Sequence, residues 1–418
     1  MDPALAFLIA AQRSEIRALE QLRATSDLVR GMSEWVHRLQ RERGASNLYL
    51  ASRGQRFAAQ RQQCVQDSEA VERAVRERHF SPAGDPSDTY GGLRLLSRIA
   101  QLLHALGELP ALRQQIAQRA LEPETATRAY SELVAAMLAV VFEAADTAVD
   151  PGVSRALVAL FNFMQGKELA GQERAAGAAA FAASRFEPAV LQRLVHLVEA
   201  QDRCFQVFQE FAEPALRAMW GHVLAGPETG DVQAQRALLH GGGAARTSAD
   251  AGDRWFEAAT RRIDAMRLVE DSATSALVAL CDARLVHART DLADQTRLRA
   301  SLPAACEGGR ALAPVFGSAA PDLVAGAGLG PLLGRSVLDL VQAQAQRLQQ
   351  MGDELNAAQS ALRERKLVER AKGLLMTRRG LSEDAAYRLL RQTAMHQHRR
   401  LGEVAEAVLQ MGPLIDGL

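Results

Sequence analysis

The chain is poor in several residue types. Aromatic residues make up 5% of it, only four of its 418 residues are cysteine, and lysine supplies three of its 49 basic side chains. Cys64, Cys204, Cys281 and Cys306 stand far apart with no CxxC spacing, which argues against a disulfide framework or a cysteine zinc site. They are expected to be reduced core residues. The longest apolar run, 133 to 142, is too short to cross a bilayer, and no basic stretch precedes an apolar one at the start. A cytoplasmic protein without a membrane partner is expected. His37, His104, His196 and His240 have no ligand spacing, no glycine-rich phosphate loop follows a strand pattern, and no nucleophile sits by a base. Neither an enzyme nor a metal or cofactor site is expected.

What is present favours helices. Apolar residues are 48% of the chain, mostly Ala and Leu mixed with Arg, Glu and Gln, all good helix formers. The fold class predicted is all-α, and 418 residues exceed one ordinary core. Net charge is zero, but residues 361 to 400 hold eleven Lys or Arg against four Asp or Glu, a local excess of seven. A basic end on a neutral body points to a polyanion for that end alone.

Along the chain, three- and four-residue apolar spacing from Leu5 to about Arg78, including Leu28, Met32, Trp35, Val36 and Leu39, predicts one long helix or a pair. "FSPAGDPSDTYGG" (80 to 92) interrupts it, and the periodicity resumes from Leu93 to Gln118. Further helices are predicted over 121 to 149 and 150 to 183, the second with Asp150 as N-cap and Pro151 at its first position. More follow from Pro188 to Leu224. The Gly-rich segment 225 to 253 is expected to be a flexible loop, followed by a long helix from Arg254. Residues 301 to 335, rich in Pro, Gly and Ala without period, form a predicted linker. Leu338, Val341, Ala345, Leu348, Leu355 and Leu362 then keep a weakening heptad, which predicts a short coiled coil over 336 to 362.

The tail is predicted to hold three short helices. Arg378 and Arg379 precede Gly380 at a C-terminal cap, Ser382 caps the next helix, and Gly412-Pro413 stops the last. Ala386, Leu390 and Ala394 form a core stripe, with Tyr387, Arg391 and Met395 on the adjoining one. Lys372, Met376 and Arg379 are neighbours on the first helix. Cations around an aromatic ring and two methionines suit phosphates and stacked bases. Charge alone leaves three other readings open: a solvated face, a protein or membrane partner, or duplex DNA.

"ERAKGLLM", "RRGLSEDAAYRLLRQTAM" and "LGEVAEAVL" resemble the ANTAR domain, the RNA-binding module of bacterial transcription antiterminators, over about 50 residues near the C-terminus. The resemblance implies binding to a leader RNA with paired hairpins, which prevents an intrinsic terminator from forming. Lys372, Met376, Arg379, Tyr387, Arg391 and Met395 are the RNA-binding candidates.

In the body, "LQRERGASNLYL" (39 to 50) is echoed by "LAGQERAAGAAAF" (169 to 181), each placing Glu-Arg before small residues in an amphipathic helix. Small residues such as Gly44, Ala45, Ala175 and Ala176 let helices approach and let an arginine turn inward. A guanidinium is a planar fork of donors suited to planar oxyanions. Taken singly, an arginine in so Arg-rich a chain is more often a surface residue than a ligand. "LQRERG", "KELAGQERA" and Trp255 with "TRRID" (260 to 264) resemble the NIT domain, a helical nitrate- and nitrite-sensing module. The resemblance spans about 30 to 290. It implies two four-helix bundles sharing long helices, with the anion held between them by Arg43, Arg174 and Arg262; Arg41 and Arg261 are neighbouring candidates.

A NIT domain joined to an ANTAR domain is similar to nitrate-responsive antiterminators. The organisation expected is a sensor over 1 to 300, the linker and coiled coil, and an RNA-binding domain over 355 to 413. The partners expected are nitrate or nitrite, leader RNA and a second copy of the chain. The alternative is a helical sensor whose basic tail binds DNA or a protein.

Overall fold

A computed structural model describes residues 3–81, 85–182, 188–240 and 251–301, together with 364, 366–368, 370–376, 378–379, 381, 383–397 and 399–411 of the tail. The linker beyond 301, the coiled coil, Cys306, Gly380, Ser382 and Gly412-Pro413 lie outside the described residues. All described regular structure is α-helical. No helix among the described residues is long and apolar enough to cross a membrane.

The body consists of α1 (Pro3–Ala51), α2 (Ala58–His79), the short α3 (Pro86–Thr89), α4 (Leu93–Leu106), α5 (Leu109–Ala117), α6 (Pro123–Thr147), α7 (Pro151–Ala182), α8 (Pro188–Phe211), α9 (Pro214–Ala225), α10 (Pro227–His240) and α11 (Ala251–Ser301). Seven of these eleven helices begin at a proline, which explains how a helical chain accommodates 14 of them. Proline has no N–H to lose in the first turn, and its fixed φ suits helix entry. Asp150 caps α7 through the Val153 N–H, 2.9 Å away. The long N-terminal periodicity resolves into two helices, because Arg53, Gly54 and Phe57 take positive φ between α1 and α2.

Helix α1 packs on α2, α6 and α11, while α7 packs on α6, α8 and α11. The seam between α1, α7 and α11 therefore runs through the centre of the body. The few aromatic residues are concentrated in the core: Phe163 touches Phe205, Phe208 and Trp220, with Phe163, Phe208 and Trp220 fully buried. Truncating such a ring costs about 3–5 kcal/mol. Lower in the seam, the fully buried Lys167 of α7 contacts the Glu270 carboxylate of α11, which also accepts from Ser33 of α1 at 2.5 Å. Each of these charges has a partner, so the contact ties three helices together. Cys64, Cys204 and Cys281 are buried and form no disulfide among the described residues.

One expectation is corrected. The segment 225 to 253 is not a loop throughout, since Pro227–His240 is helical. Pro227 opens the helix, Val232 is buried against Trp255, Ala258 and their neighbours, and Arg236 reaches Glu173 of α7. Glycine content hid a helix that tertiary packing stabilises.

In the tail, 366–368 and 370–376 are helical, followed by α12 (Glu383–Gln397) and α13 (Leu401–Met411). Val368, Ala371, Leu375, Ala386, Leu390, Ala394, Val404 and Ala405 form a separate small core. Every member is aliphatic and several are Ala, so the helices approach closely around little volume.

Candidate anion-binding and RNA-binding sites

The two Glu-Arg echoes face each other across the α1/α7 seam. In each, the glutamate is held bidentately by an arginine of its own neighbourhood. Arg113 donates to both Glu42 oxygens at 2.8 and 2.9 Å, and Arg236 donates to both Glu173 oxygens at 2.7 Å. Tyr130 adds a bond to Glu42 at 2.7 Å and Gln201 one to Glu173 at 2.8 Å. These bonds fix the rotation of α1 and α7, so the next residue in each, Arg43 or Arg174, turns toward the opposite helix. Glycine makes this possible. A Cβ on Gly171 would lie 2.7 Å from Arg43 Nη2, and one on Gly44 would lie 3.0 Å from Arg174 Nη2.

Between the two guanidinium groups is a small cavity lined by Arg43, Gly44, Asn47, Thr127, Arg174 and Phe256, among others. Its free volume for water-sized groups is about 20 Å³, where one ordered water requires on the order of 10–15 Å³. Only a very small guest enters without displacing side chains. Arg43 is 3% exposed and bonds Glu168 at 2.5 and 3.1 Å and Ser131 at 2.8 Å. Among the described residues the Arg174 guanidinium bonds only a neutral hydroxyl, Thr260 Oγ1 at 3.0 Å, and it stacks over the Phe256 ring at 4.7 Å. Burial, and then the neighbouring Arg43 charge, push the Arg174 guanidinium down to about 10. Trp255 donates to the Arg174 carbonyl at 2.9 Å and packs where a Cβ on Gly177 would otherwise sit. The arrangement holds two planar donor forks, of the kind that suit a planar oxyanion, around one small buried space.

The other arginine candidates lie elsewhere. Arg262 is buried but points to Gln201 Oε1, 3.0 Å away in α8, and does not line the cavity. Arg236 of α10, in the segment expected to be a loop, instead binds Glu173. Arg41 is exposed, and Arg261 is exposed beside Asp231 at 2.7 Å. In a straight helix successive residues diverge by about 100°, so Arg41 and Arg43 cannot share one face. Glu168, Gly171, Ser131, Thr127 and Phe256 escaped sequence reasoning. Glu168, Gly171 and Ala175 share one helical stripe within the quoted "KELAGQERA", and that spacing was the available signal.

In the tail, Tyr387, Arg391 and Met395 line one open groove together with Ala394, Arg399 and Leu401. Met395 is 66% exposed, an unusual position for a large apolar side chain. Met376 and Arg379 are exposed on the first tail helix. Lys372 corrects the expectation: it is 8% exposed, buried beside Ala371, and offers little surface to a nucleic acid.

The body contacts the groove at Tyr387 and Arg391, while Arg391 and Met395 stay largely exposed. Arg203 of α8 lies over the Tyr387 ring at 4.5 Å, His196 approaches the same ring at 6.2 Å, and Glu199 lies 3.5 Å from Arg391. Lys366 reaches Asp146 of α6 at 3.8 Å and lies 5.8 Å from the Phe142 ring centre. An arginine plane thus occupies the stacking face a base would use, and a carboxylate occupies the cation a phosphate would use.

Comparison with known proteins agrees with this division. Residues 34–278 match the family model "Nitrate and nitrite sensing" (NIT), and residues 356–409 match the ANTAR domain. The chain is 33% identical over 407 residues to the "Nitrate regulatory protein" of Klebsiella oxytoca, covering 97% of this chain and 94% of that one. It is 34% identical over 73 residues to the "Transcriptional regulatory protein PdtaR" of Mycobacterium tuberculosis, 18% of this chain and 36% of that protein. The solved "Structure of the NasR transcription antiterminator" aligns with a TM-score of 0.59 at 32% identity, covering 97% of this chain and 98% of that one. The chain belongs to the NIT family of nitrate- and nitrite-sensing regulators, with an ANTAR RNA-binding domain following the sensor.

Proposed function

We propose that nitrate or nitrite occupies the cavity between Arg43 and Arg174, and that its binding frees the ANTAR groove for a leader RNA with paired hairpins. RNA held in this way cannot close its intrinsic terminator. The observation that carries the reading is the convergence of two buried guanidinium groups, from facing helices, on one small cavity. A transcript still being made requires a cytoplasmic partner. Two hairpins are matched most simply by two copies of the chain, one ANTAR module on each.

Helix α8 links the two sites. Its inner face carries Gln201, which bonds Glu173, the residue next to Arg174. Its outer face, within the same two turns, carries His196, Glu199 and Arg203 against the tail. Drawing Arg174 toward an anion shifts α7 at Glu173, and Gln201 transmits that shift to the helix covering Tyr387. The anion biases the equilibrium only by its different affinity for the two states; about 3 kcal/mol changes the ratio more than a hundredfold.

The test uses the full chain: calorimetric titration with nitrate, nitrite, chloride and sulfate, then binding of a two-hairpin RNA with and without nitrate. Arg174→Ala is expected to fold, to lose anion binding and to leave RNA affinity indifferent to nitrate. Absence of nitrate and nitrite binding, or RNA affinity that nitrate does not change, overturns the reading. Sedimentation of the RNA complex is expected to show two chains per RNA.

A further inference from the structure

Arg43, on one wall of the cavity, carries a buried counter-anion behind it. Glu168 is 2% exposed, and its carboxylate accepts from Arg43 at 2.5 and 3.1 Å, from Gln40 at 2.8 Å and from Gln172 at 3.0 Å. The two glutamines are neutral, so they fix the carboxylate in place without cancelling its charge. Among the described residues no carboxylate reaches Arg174 to form an ion pair. Two further charges act on Arg174: Asp264, whose effect on it exceeds that of Glu168, and the exposed Arg41, and these two have opposite signs. Two guanidinium groups and one carboxylate leave a single unit of positive charge facing the cavity.

We propose that Glu168 determines specificity by setting the charge of the cavity to match one monovalent anion, so that the site rejects divalent oxyanions such as sulfate. The inference rests on the reading that nitrate or nitrite binds between Arg43 and Arg174. A monovalent anion brings the buried site to neutrality. A divalent one leaves an uncompensated negative charge in a buried site, next to the Arg43–Glu168 pair. Size alone does not provide this discrimination, because side chains at the end of a cavity move more readily than a buried charge disappears.

The magnitude is large. For a charge about 6 Å away at an effective dielectric constant of about 20, removing it tightens a monovalent anion by on the order of a hundredfold and a divalent anion by roughly the square of that. The experiment titrates the full-length wild type and Glu168→Gln with nitrate and with sulfate at constant ionic strength, with circular dichroism melts as the folding control. The ratio of sulfate to nitrate affinity is expected to rise at least about tenfold in Glu168→Gln. A ratio that stays put or falls, or a folded variant that gains no sulfate binding, overturns the inference. If Glu168→Gln does not fold, Asn47→Asp replaces it. Asn47 lines the cavity and is only partly buried, and a second carboxylate there should abolish nitrate binding. Retained nitrate binding in Asn47→Asp overturns the charge account. A wild type that binds neither nitrate nor nitrite removes the functional reading and this inference with it, whereas nitrate binding with an unmoved ratio removes this inference alone.

Discussion

Arg43 lies directly over the Cα of Gly171, with Nη2 2.7 Å from where a Cβ would stand. The contact is with the flexible end of a side chain, so Gly171→Ala need not disturb the fold. In a helix interior alanine is favoured over glycine by about 0.5–1 kcal/mol. The two effects have opposite signs: the melting temperature is expected to hold or rise while nitrate affinity falls at least about tenfold, since a displaced fork forfeits on the order of one charge-assisted hydrogen bond. Differential scanning calorimetry and isothermal titration on the same sample check the split, and a loss of stability with unchanged affinity contradicts it.

Arg203 and Glu199 hold the tail through one cation–π contact and one partly exposed ion pair. Such contacts are worth about 0.5–1 and 0.2–1 kcal/mol. The double variant Arg203→Ala, Glu199→Ala is therefore expected to raise RNA affinity without nitrate by roughly 3- to 30-fold and to shrink the nitrate response correspondingly. Fluorescence anisotropy with labelled RNA gives both numbers, and wild-type affinity without nitrate would show that this contact does not restrain the tail.

Arg391 and Lys372 are expected to part company. Arg391 is exposed in the groove, so Arg391→Ala should reduce the slope of log affinity against log salt by about one unit. Lys372 is buried, so Lys372→Ala should leave that slope unchanged and lower the stability of the tail core instead. Salt titrations of RNA binding separate the two outcomes.

His37 gives the sensor a defined response to acid. Burial, then the charges of Lys167 and Arg267, push its imidazole down to about 2 from an ordinary 6.5. The folded chain keeps it neutral while the unfolded chain protonates it below 6.5, so the unfolded state binds more protons and stability falls as the pH drops. The loss approaches about 1.4 kcal/mol per pH unit. His37→Asn removes this contribution, and urea melts at pH 7 and pH 5 are expected to show a smaller drop for the variant than for the wild type.

Much of this was legible in the chain itself. Apolar spacing of three and four residues, and Pro151 after Asp150, marked body helices, because local periodicity and the missing proline N–H act within a few residues. Arg43 and Arg174 were marked by the resemblance of the Glu-Arg motifs to the NIT domain; taken singly, the residues pointed to surface arginines. Tyr387, Arg391 and Met395 were placed together by their i, i+4 spacing alone.

The rest depended on distance in space rather than in sequence. Which arginines converge was decided by helix rotation, and that rotation is set by Arg113 on Glu42 and Arg236 on Glu173, contacts across 71 and 63 residues. Arg262, adjacent in the motif to plausible partners, was thereby carried to Gln201. The burial of Lys372, the helix 227–240 and the covering of Tyr387 by Arg203 likewise follow from packing between remote segments. Sequence by itself determined helices thin enough at Gly44 and Gly171 for an arginine to turn inward, because side-chain period and glycine size are local properties; only the tertiary structure decided which arginines do so, and with which counter-charge, because pairing buried charges is a property of the assembled core.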